Sequence, residues 1–559
     1  MTEAARLDLS RFQGPFSSAL RRAQTGRNAM AWLDGSSILI RREAHFGDRV
    51  IACFAERPAG LFAMFVDAVD RNPTGEAVVC GEERLSYRTL DAKVATLAAA
   101  LAGRGIGVGD RVALLVGNRS EFVTILLAVM RLGAIAVPMG IRLQTPEIAY
   151  VLEDCGARLL IHEADLTDRL PAAAEVPRLE ARIATGAGFA ALLASGEGRA
   201  AGPAATTGEE ETAVILYTSG TTGRPKGAML THLNIVHSAM VYAYCMNLGT
   251  DDRSAAAVPL SHVTGLIANV AAMLRAAGTL VIVPVFKAAD YLDLSARERV
   301  TQTILVPAMY NLCLMQPDFD RYDLSSWRIG GYGGAPMPTP TIEKLAEKLP
   351  GLKLINAYGA TETTSPTTMM PPEFTASRGD SVGFAVPCAE VIVVDEAGRE
   401  VPAGETGEIW IRGPSVVKGY WNNPVATAAG FTGGYWHSGD IGAIDAQGFI
   451  QVLDRKKDMI NRGGYKIFTA EVETVLVAAD GVIECAVVAV PCPVLGERVH
   501  AFVVTDPALS PTVEALKRYC AERLSDYKVP ESLTLTTDPL PRNANGKVIK
   551  RALREALKG

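Results

Sequence analysis

The sequence predicts an α/β protein with at least two domains, of which the second is small. The chain has 559 residues, more than one hydrophobic core usually organises. Short apolar strands alternate with helical segments over residues 111–162, which is typical of a substantially parallel sheet. After a charged run at residues 454–458 (DRKKD), roughly a hundred residues remain, enough for a separate α+β domain. We place the boundary at Lys456/Lys457, which divides the chain into residues 1–456 and 457–559.

Apolar runs and helical spacing define the elements of both domains. In the first domain they are strands at 111–116, 134–139 and 157–162 and helices at 120–132 and 145–155. The second of these helices begins with Thr-Pro and is followed by Gly156, which are start and stop signals. In the second domain they are helices from residues 470 and 512 and strands at 486–490 and 500–504. Residues 1–60 form an extension to which the sequence assigns no role.

Composition excludes several classes of protein and partner. The net charge is -6 and no Lys/Arg-rich run is present, so a nucleic-acid partner is not expected. Nine cysteines are scattered without a CxxC pair, which favours reduced thiols in the cytoplasm. No two histidines stand at metal-ligand spacing, and no apolar run approaches the roughly 20 residues of a membrane span. We therefore predict a cytoplasmic protein without a transmembrane segment.

The densest chemical signal is residues 217–227 (YTSGTTGRPKG), which follow an apolar strand. Glycines let backbone N–H groups turn toward an anion, hydroxyl groups donate hydrogen bonds, and Lys226 can neutralise phosphate charge. The pattern is not the Walker loop, because Lys226 is followed by glycine and the spacing differs. A polar turn between two strands is the alternative, and so dense a run of Ser, Thr and Gly argues against it. The segment therefore predicts a phosphate-binding loop.

Further segments are ordinary turns when taken singly but carry chemistry together. They are residues 259–265 (PLSHVTG), 333–336 (GGAP), 356–362 (NAYGATE), 436–440 (WHSGD), 454–455 (DR) and 540–547 (LPRNANGK). Taken alone, Glu362 would be a solvated surface glutamate. Lys547 lies on a loop rich in Asn and Gly and presents one ammonium group, which can stabilise developing negative charge.

In this order the segments resemble the adenylate-forming superfamily, which includes acyl-CoA synthetases, aryl-CoA ligases, firefly luciferase and peptide-synthetase adenylation domains. The resemblance extends from residue 85 to the C-terminus. It implies a large N-terminal domain of parallel-rich sheets flanked by helices, a β-subdomain, and a small C-terminal domain that rotates between two half-reactions. Residues 407–420 (GEIWIRGPSVVKGY) resemble a structural element of the β-subdomain, to which we assign packing and not chemistry.

The resemblance also implies an ATP site. Its residues are Thr218, Ser219, Gly220, Thr221, Thr222, Gly223, Lys226, Gly334, Ala335, Pro336, Tyr358, Gly359, Thr361, Asp440 and Arg455. By that resemblance Tyr358 packs on adenine and Thr361 contacts the α-phosphate. Asp440 accepts hydrogen bonds from both ribose hydroxyls, and Arg455 also reaches the ribose.

Four residues are implied to serve catalysis. Glu362 and Thr221 bind Mg²⁺, and Lys547 stabilises the carboxylate that attacks the α-phosphate. His262 lies beside the acyl carboxylate; the alternative is a half-buried histidine without a catalytic role. Amino-acid-activating relatives have an aspartate in the segment that holds His262, so an amino-acid substrate is disfavoured.

The resemblance extends to the second half-reaction. Gly463 and Gly464 match a loop beside the pantetheine of coenzyme A, and Lys457 occupies the hinge position. Many acyl-CoA ligases have proline where Thr469 stands, and we interpret Thr469 as a helix N-cap. The implied partners are a small carboxylic acid, ATP and coenzyme A, with a homodimer as a possibility.

The function that these residues indicate is an ATP-dependent carboxylic acid–CoA ligase that works through an acyl-adenylate. Its products are acyl-CoA, AMP and pyrophosphate. The alternatives are an acyl-AMP ligase that delivers to a carrier protein, and a non-catalytic nucleotide-binding relative. The acid pocket is expected from residues after His262, 306–314, 331–333 and 363–364, where Gly331 and Gly333 leave space. We expect a medium or long fatty acid or a hydrophobic aryl acid.

Overall fold

The structure is a computed structural model that describes residue 32 and residues 38–218, 224–542 and 548–557. The chain begins there with a hairpin of two antiparallel strands, β1 (Ile40–His45) and β2 (Arg49–Phe54). Two larger sheets follow, each with a mostly parallel centre, as the strand–helix–strand pattern predicts. An antiparallel sheet and a separate C-terminal sheet complete the fold, so the predicted α/β class is confirmed.

The first large sheet has six strands in the order β10-β9-β6-β5-β7-β8. Its strands are β5 (Arg111–Leu115), β6 (Ile135–Pro138), β7 (Leu159–His162), β8 (Ala181–Ala184), β9 (Thr212–Thr218) and β10 (Lys226–Thr231). Only β9 and β10 pair antiparallel. These two strands form a hairpin at the edge, and the predicted phosphate loop joins them.

The second large sheet has nine strands in the order β17-β16-β15-β14-β13-β11-β12-β3-β4. Its strands are β3 (Glu76–Cys80), β4 (Glu83–Ser86), β11 (Arg253–Ala256), β12 (Thr279–Ile282), β13 (Gln302–Leu305), β14 (Ile329–Tyr332), β15 (Lys353–Tyr358), β16 (Thr368–Met369) and β17 (Phe384–Ala385). Within this sheet, every neighbouring pair in the run β15-β14-β13-β11-β12-β3 is parallel. The loops after β14 and β15 therefore leave the same edge of the sheet.

Helices surround these two sheets. They are α1 (Leu61–Arg71), α2 (Tyr87–Ala102), α3 (Ser120–Arg131), α4 (Thr145–Cys155), α5 (Ala187–Ala194), α6 (His232–Cys245), α7 (Ala272–Ala276), α8 (Ala288–Arg297), α9 (Pro307–Leu314) and α10 (Thr339–Lys348). A π-helical segment, Thr264–Ala271, precedes α7. Helix α3 contacts β5 and β6 of one sheet and β3 of the other. Residues 122–130 are buried throughout, because a helix between two sheets has no face left for water.

The predicted elements of this domain are confirmed to within about two residues at their ends. Helix α4 has its Pro in the first turn, and Gly156 follows it with φ +61°, a conformation that suits glycine at a helix C-terminus. Among the described residues, no helix has the combination of length and apolarity that crossing a membrane requires.

The third sheet is antiparallel and corresponds to the expected β-subdomain. Its strands are β18 (Glu390–Val394), β19 (Gly407–Arg412), β20 (Phe431–Thr432), β21 (Tyr435–Ile444) and β22 (Ile450–Arg455), with α11 (Pro424–Gly430) before β20. The C-terminal sheet contains β23 (Ile460–Arg462), β24 (Tyr465–Ile467), β25 (Val482–Cys492), β26 (Gly496–Thr505) and β27 (Ser532–Thr536). Its helices are α12 (Thr469–Val477), α13 (Val513–Ala521) and α14 (Lys550–Ala556). The predicted boundary at Lys456/Lys457 lies in the turn between β22 and β23.

Thr469 corrects one local expectation. It is the first residue of α12 and not its N-cap; Phe468 holds that position, without a side-chain cap. The Thr469 hydroxyl instead donates to Asp454 Oδ2 at 2.9 Å and accepts from Lys550 Nζ at 2.7 Å. Lys550 also pairs with Glu473 at 2.7 Å. These contacts link the end of β22 to both α12 and α14.

Candidate active site

The β9–β10 hairpin presents the base of the predicted phosphate loop. Thr218 and Lys226 are partners in the antiparallel register, so they flank the loop from its two strands. A Cβ at Gly227 would lie 2.7 Å from Ile215 Cγ2, which explains a glycine directly after Lys226. The remaining predicted loop residues lie outside the described residues: Ser219, Gly220, Thr221, Thr222 and Gly223. Their roles stay predictions.

Lys226 faces an aromatic ring from the β-subdomain. Its Nζ lies 4.9 Å from the centroid of the Tyr420 ring, within the range of a cation–π contact. The backbones of the two segments are also joined, since Ala228 forms a β-bridge with Tyr420. The Trp421 amide also donates to the Gly227 carbonyl at 2.7 Å. The phosphate-loop hairpin and residues 419–421 are therefore one continuous piece of structure.

Glu362 belongs to the same cluster. It lies in a single 3₁₀ turn, Thr361–Thr363, directly after β15, and its Oε1 accepts from the Tyr420 hydroxyl at 3.0 Å. Burial raises the pKa of the Glu362 carboxyl, against the lowering effects of the Tyr420 hydrogen bond and of the Arg455 and Lys226 charges. A carboxylate with this burial gains from a cation that replaces lost water. The donor set thus fits Mg²⁺, although Thr221 lies outside the described residues.

The backbone after Glu362 is constrained. Thr364 and Ser365 have φ of +49° and +27°, in the left-handed region that such residues seldom adopt. Within the described part of the chain, the buried hydroxyl groups of Thr364 and Thr367 find no hydrogen-bond partner. Strained backbone and unsatisfied buried hydroxyl groups are typical of ligand sites. Thr363 and Thr364 are themselves fully buried, so their place in the lining of the acid pocket stays a prediction.

A second cluster joins Tyr358 to the predicted ribose residues. The Tyr358 hydroxyl donates to Asp440 Oδ2 at 2.6 Å, and Arg455 Nε pairs with Asp440 Oδ1 at 2.8 Å. Asp440 and Arg455 face each other in the β21–β22 register, and Asp440 is 4% exposed. Burial and the Asp440 charge raise the pKa of Tyr358 well above its usual value. The carboxylate is held in one orientation and retains lone pairs for further donors.

The backbone of the predicted adenine segment packs closely against the backbone of the residue before Tyr358. A Cβ at Gly333 would lie 2.4 Å from the Ala357 carbonyl oxygen, so only glycine permits this approach of the two strand ends. Gly334 follows with φ +78°, and Gly334, Ala335 and Pro336 are exposed. The fold brings this surface beside residues 357–359.

Gly331 has a packing reason that the sequence did not indicate. A Cβ there would lie 2.6 Å from Ile304 Cγ1 in the neighbouring strand. The space at Gly331 and Gly333 is therefore taken by adjacent strands in the direction that a side chain would occupy. The expectation that these two glycines leave space for the acid is therefore not met on the side where their side chains would stand.

His262 is half-buried just before the π-helical segment. Burial lowers the pKa of its imidazole, which keeps the ring neutral near pH 7. A π-helical segment inside an α-helical run is frequent at functional sites. Among the described residues, no hydrogen bond or ion pair joins His262 to Glu362 or Asp440, so its place beside a carboxylate substrate stays a prediction.

The predicted residues of the C-terminal domain differ in their relation to these clusters: Lys457 follows Arg455 by two residues, whereas Gly463 and Gly464 stand in the next hairpin. Gly463 and Gly464 form the exposed two-residue turn between β23 and β24, with φ of +59° and +93°. Two positive φ angles in succession are the geometry of a tight hairpin turn. Within the described residues, no hydrogen bond links Gly463, Gly464 or Lys457 to Glu362 or Asp440. Lys547 lies outside the described residues, and the Arg542–Val548 bridge closes the base of its loop.

Tyr420 is the residue of this site that sequence reasoning missed. It ends residues 407–420, to which the sequence analysis assigned packing alone. The structure places its hydroxyl on Glu362 and its ring against Lys226. The sequence did contain a signal for Tyr420, because this tyrosine lies in the loop that follows a strand. Loops that follow strands commonly carry the polar side chains of binding sites.

Comparisons with known proteins agree with the order of these segments. Residues 65–421 match the family model described as AMP-binding enzyme, and residues 471–547 match the AMP-binding enzyme C-terminal domain. A feruloyl-CoA synthase from an Amycolatopsis species is 36% identical over 501 residues, covering 89% of this chain and 99% of the relative. A long-chain-fatty-acid–CoA ligase from Mycobacterium tuberculosis is 34% identical over 475 residues, covering 84% and 93%.

A solved structure supports the same likeness in three dimensions. It is the o-succinylbenzoate coenzyme A synthetase from Bacillus subtilis in complex with ATP and magnesium ion, with a TM-score of 0.79 and 31% identity. The alignment covers 89% of this chain and 99% of that protein.

Proposed function

Since the chain belongs to the AMP-binding enzyme family, we propose that it joins a hydrophobic carboxylic acid to coenzyme A in two steps through an acyl-adenylate. The activity is that of an AMP-forming acid–CoA ligase. The observation that carries the proposal is the convergence of Lys226, Tyr420 and Glu362, which brings the phosphate-loop hairpin to the turn after β15. The Tyr358–Asp440–Arg455 cluster supplies the nucleoside half of the same site.

In the first step, a carboxylate oxygen of the acid forms a bond to the α-phosphorus of ATP, and the bond to the bridging oxygen of pyrophosphate breaks. The protein contributes orientation and charge, which suffice for phosphoryl-type transfers. Asp440 and Arg455 hold the ribose, and Lys226 lies at the phosphates. Glu362, with Thr221, would hold Mg²⁺, which when bound neutralises phosphate charge. Lys547 stabilises the attacking carboxylate.

In the second step, the thiol of coenzyme A loses its proton and its sulfur attacks the acyl carbon. The bond from that carbon to the phosphate oxygen breaks, and AMP leaves. Gly463 and Gly464, whose tight turn has no side chains, serve as the surface along which the pantetheine approaches. Among the described residues, no hydrogen bond joins these glycines to Glu362 or Asp440, and we propose that the C-terminal domain rotates about Lys457 between the two steps.

The acid is proposed to be hydrophobic, either aryl or fatty. The two relatives above are named for feruloyl and long-chain fatty acyl groups, and His262 stands in the segment where amino-acid-activating domains have an aspartate. Apolar side chains are also exposed around α9, at Val306, Leu312 and Met315. The compartment is proposed to be the cytoplasm, where ATP and coenzyme A are available, and a homodimer stays a prediction.

The function is tested by following AMP and pyrophosphate with a panel of acids. The panel contains hydroxycinnamic acids, medium and long fatty acids, a dicarboxylic acid and amino acids, each with coenzyme A or a phosphopantetheinyl carrier protein. We expect release with at least one hydrophobic monocarboxylic acid and coenzyme A. Product with the carrier protein alone would establish an acyl-AMP ligase instead. Nucleotide binding without release for any acid would establish a non-catalytic relative.

The Glu362→Gln variant tests the magnesium role. Glutamine keeps an acceptor for the Tyr420 hydroxyl but removes the charge, so the fold should persist while the metal loses its carboxylate. We expect the magnesium concentration for half-maximal adenylation to rise by about 30-fold, since interactions with charged groups contribute about 1.5–3 kcal/mol. The exposed Glu373→Gln is the matched control and should behave as the unmodified protein. An unchanged magnesium requirement for Glu362→Gln would show that the carboxylate does not hold the metal.

A further inference from the structure

The hairpin β1–β2 precedes the region that matches the family model, yet it is firmly attached to the first domain. Arg57, just after β2, pairs with Glu209 at 2.7 Å and with Glu43 of β1 at 2.7 Å. Its Glu209 contact is two parallel hydrogen bonds, the strongest form of this pairing. The Phe54 amide also donates to His237 Nε2 at 3.2 Å. The hairpin therefore has a fixed position on the domain.

Arg49, the first residue of β2, has an unusual environment. It is 6% exposed, and its guanidinium lies 5.1 Å and 5.5 Å from the ring centroids of Phe46 and Phe431. The acid paired with it is the exposed Asp48, at 3.7 Å. Burial lowers the pKa of Arg49. Burying a cation with so weak an ion pair costs free energy of folding. The hydrogen bonds that the guanidinium makes must offset this cost.

The hydrogen bonds of Arg49 go to three consecutive carbonyl groups. Nη1 donates to Val416 at 3.3 Å and to Val417 at 3.0 Å, and Nη2 donates to Lys418 at 3.4 Å. The rigid fork of a guanidinium can hold several acceptors at once, which a lysine cannot do. Asn234 holds the same segment from α6, through the carbonyls of Pro414 and Val416.

The segment that Arg49 holds is the one that supports Glu362. The Val417 amide donates to the Glu362 carbonyl at 2.9 Å, and Tyr420 donates from its hydroxyl to the Glu362 carboxylate at 3.0 Å. Arg49 thus contacts one side of residue 417 while Glu362 contacts the other. A path of two hydrogen bonds leads from the N-terminal hairpin to the predicted metal ligand.

We propose that Arg49 is a positioning residue that fixes residues 416–418 and, through Val417 and Tyr420, the orientation of Glu362 toward magnesium-ATP. The inference rests on the proposed function. It gives the N-terminal hairpin a role in the first half-reaction, in which pyrophosphate leaves. It assigns no role in the second, in which no triphosphate takes part.

The test uses the full chain with Arg49→Met and Arg49→Lys, and with Arg41→Met as the matched control. Arg41 is on the same hairpin, its side chain is 62% exposed, and it pairs with Glu43. We expect the magnesium requirement of adenylation to rise by about tenfold for Arg49→Met, as when a partner behind a metal ligand is lost. Arg49→Lys should show a smaller rise. Thioester formation from supplied acyl-AMP should stay within about twofold for all three, because a group acting on one transition state affects one step.

Combining Arg49→Met with Glu362→Gln tests the path itself. If Arg49 acts through Glu362, the double variant should need no more magnesium than Glu362→Gln alone, because coupled residues are not additive. Additive effects, an unchanged magnesium requirement, or an equal loss of both half-reactions would each overturn the proposal. Should Arg49→Met fail to fold, Arg49→Lys decides between the same outcomes. Failure of the unmodified protein to adenylate any acid would instead refute the proposed function.

Discussion

Replacing Lys547 with alanine is expected to slow adenylation by roughly 10²–10³-fold, the loss seen when one preorganised electrostatic donor is removed. The same variant, supplied with chemically made acyl-AMP and coenzyme A, should form the thioester at close to the normal rate. The reason is that a charge absent from the second transition state cannot stabilise it. Pyrophosphate exchange measures the first step, and AMP release from acyl-AMP measures the second.

The structure supplies a matched control for Lys547. The alternative is that Lys547 belongs to a solvated basic tail without a catalytic role. Arg551 is such a tail residue, since its side chain is 69% exposed and pairs with Glu555 one turn away. Lys550 does not, because it is 18% exposed and bonded to Glu473 and Thr469. Arg551→Ala should leave both steps unchanged. Near-normal rates for Lys547→Ala would place it with Arg551, and an equal loss of both steps would refute the two-state mechanism.

Replacing Lys457 with proline is expected to block the second half-reaction and spare the first. The turn between β22 and β23 is closed by the amides of Asp458 and Met459, which donate to the Arg455 carbonyl, so proline at position 457 removes neither of these donors. Its ring fixes φ and so restricts backbone rotation there. Acyl-AMP should accumulate, and thioester formation should fall by roughly 10²-fold or more, as expected when a misplacement of about 1 Å separates the reacting groups.

Lys457→Ala separates the backbone effect from the lost charge. Alanine removes the ammonium group but leaves φ free, so both half-reactions should remain within about threefold, the range of an exposed substitution. The measurement is single-turnover quantification of acyl-AMP and acyl-CoA for the three proteins. Equal losses in both variants would assign the effect to the side chain, and an equal loss of both steps in Lys457→Pro would show that residue 457 is not a hinge.

Much of the fold could be predicted from local sequence patterns, because the residues that start, stop and pattern these helices and strands lie within or next to them. The helix at residues 145–155 carries its own start and stop residues, and the strands at 111–115 and 159–162 are short apolar runs. Thr469 shows where this reasoning fails. A threonine at a helix start is a good N-cap in isolation, but the Thr469 hydroxyl bonds to Asp454, 15 residues before it, and to Lys550, 81 residues after it.

Sequence pattern alone established the fold class and predicted which residue types carry the chemistry: the hydroxyl and glycine loop with Lys226, the carboxylates Glu362 and Asp440, and the lysine at 547. Such motifs are read from neighbouring residues, whose spacing is covalent. Which side chains meet depends on the tertiary structure. Tyr420 and Glu362 are 58 residues apart, Tyr358 and Asp440 are 82 apart, and Arg49 and Val416 are 367 apart. Their contacts depend on how strands of separate sheets align, and no local pattern encodes that alignment.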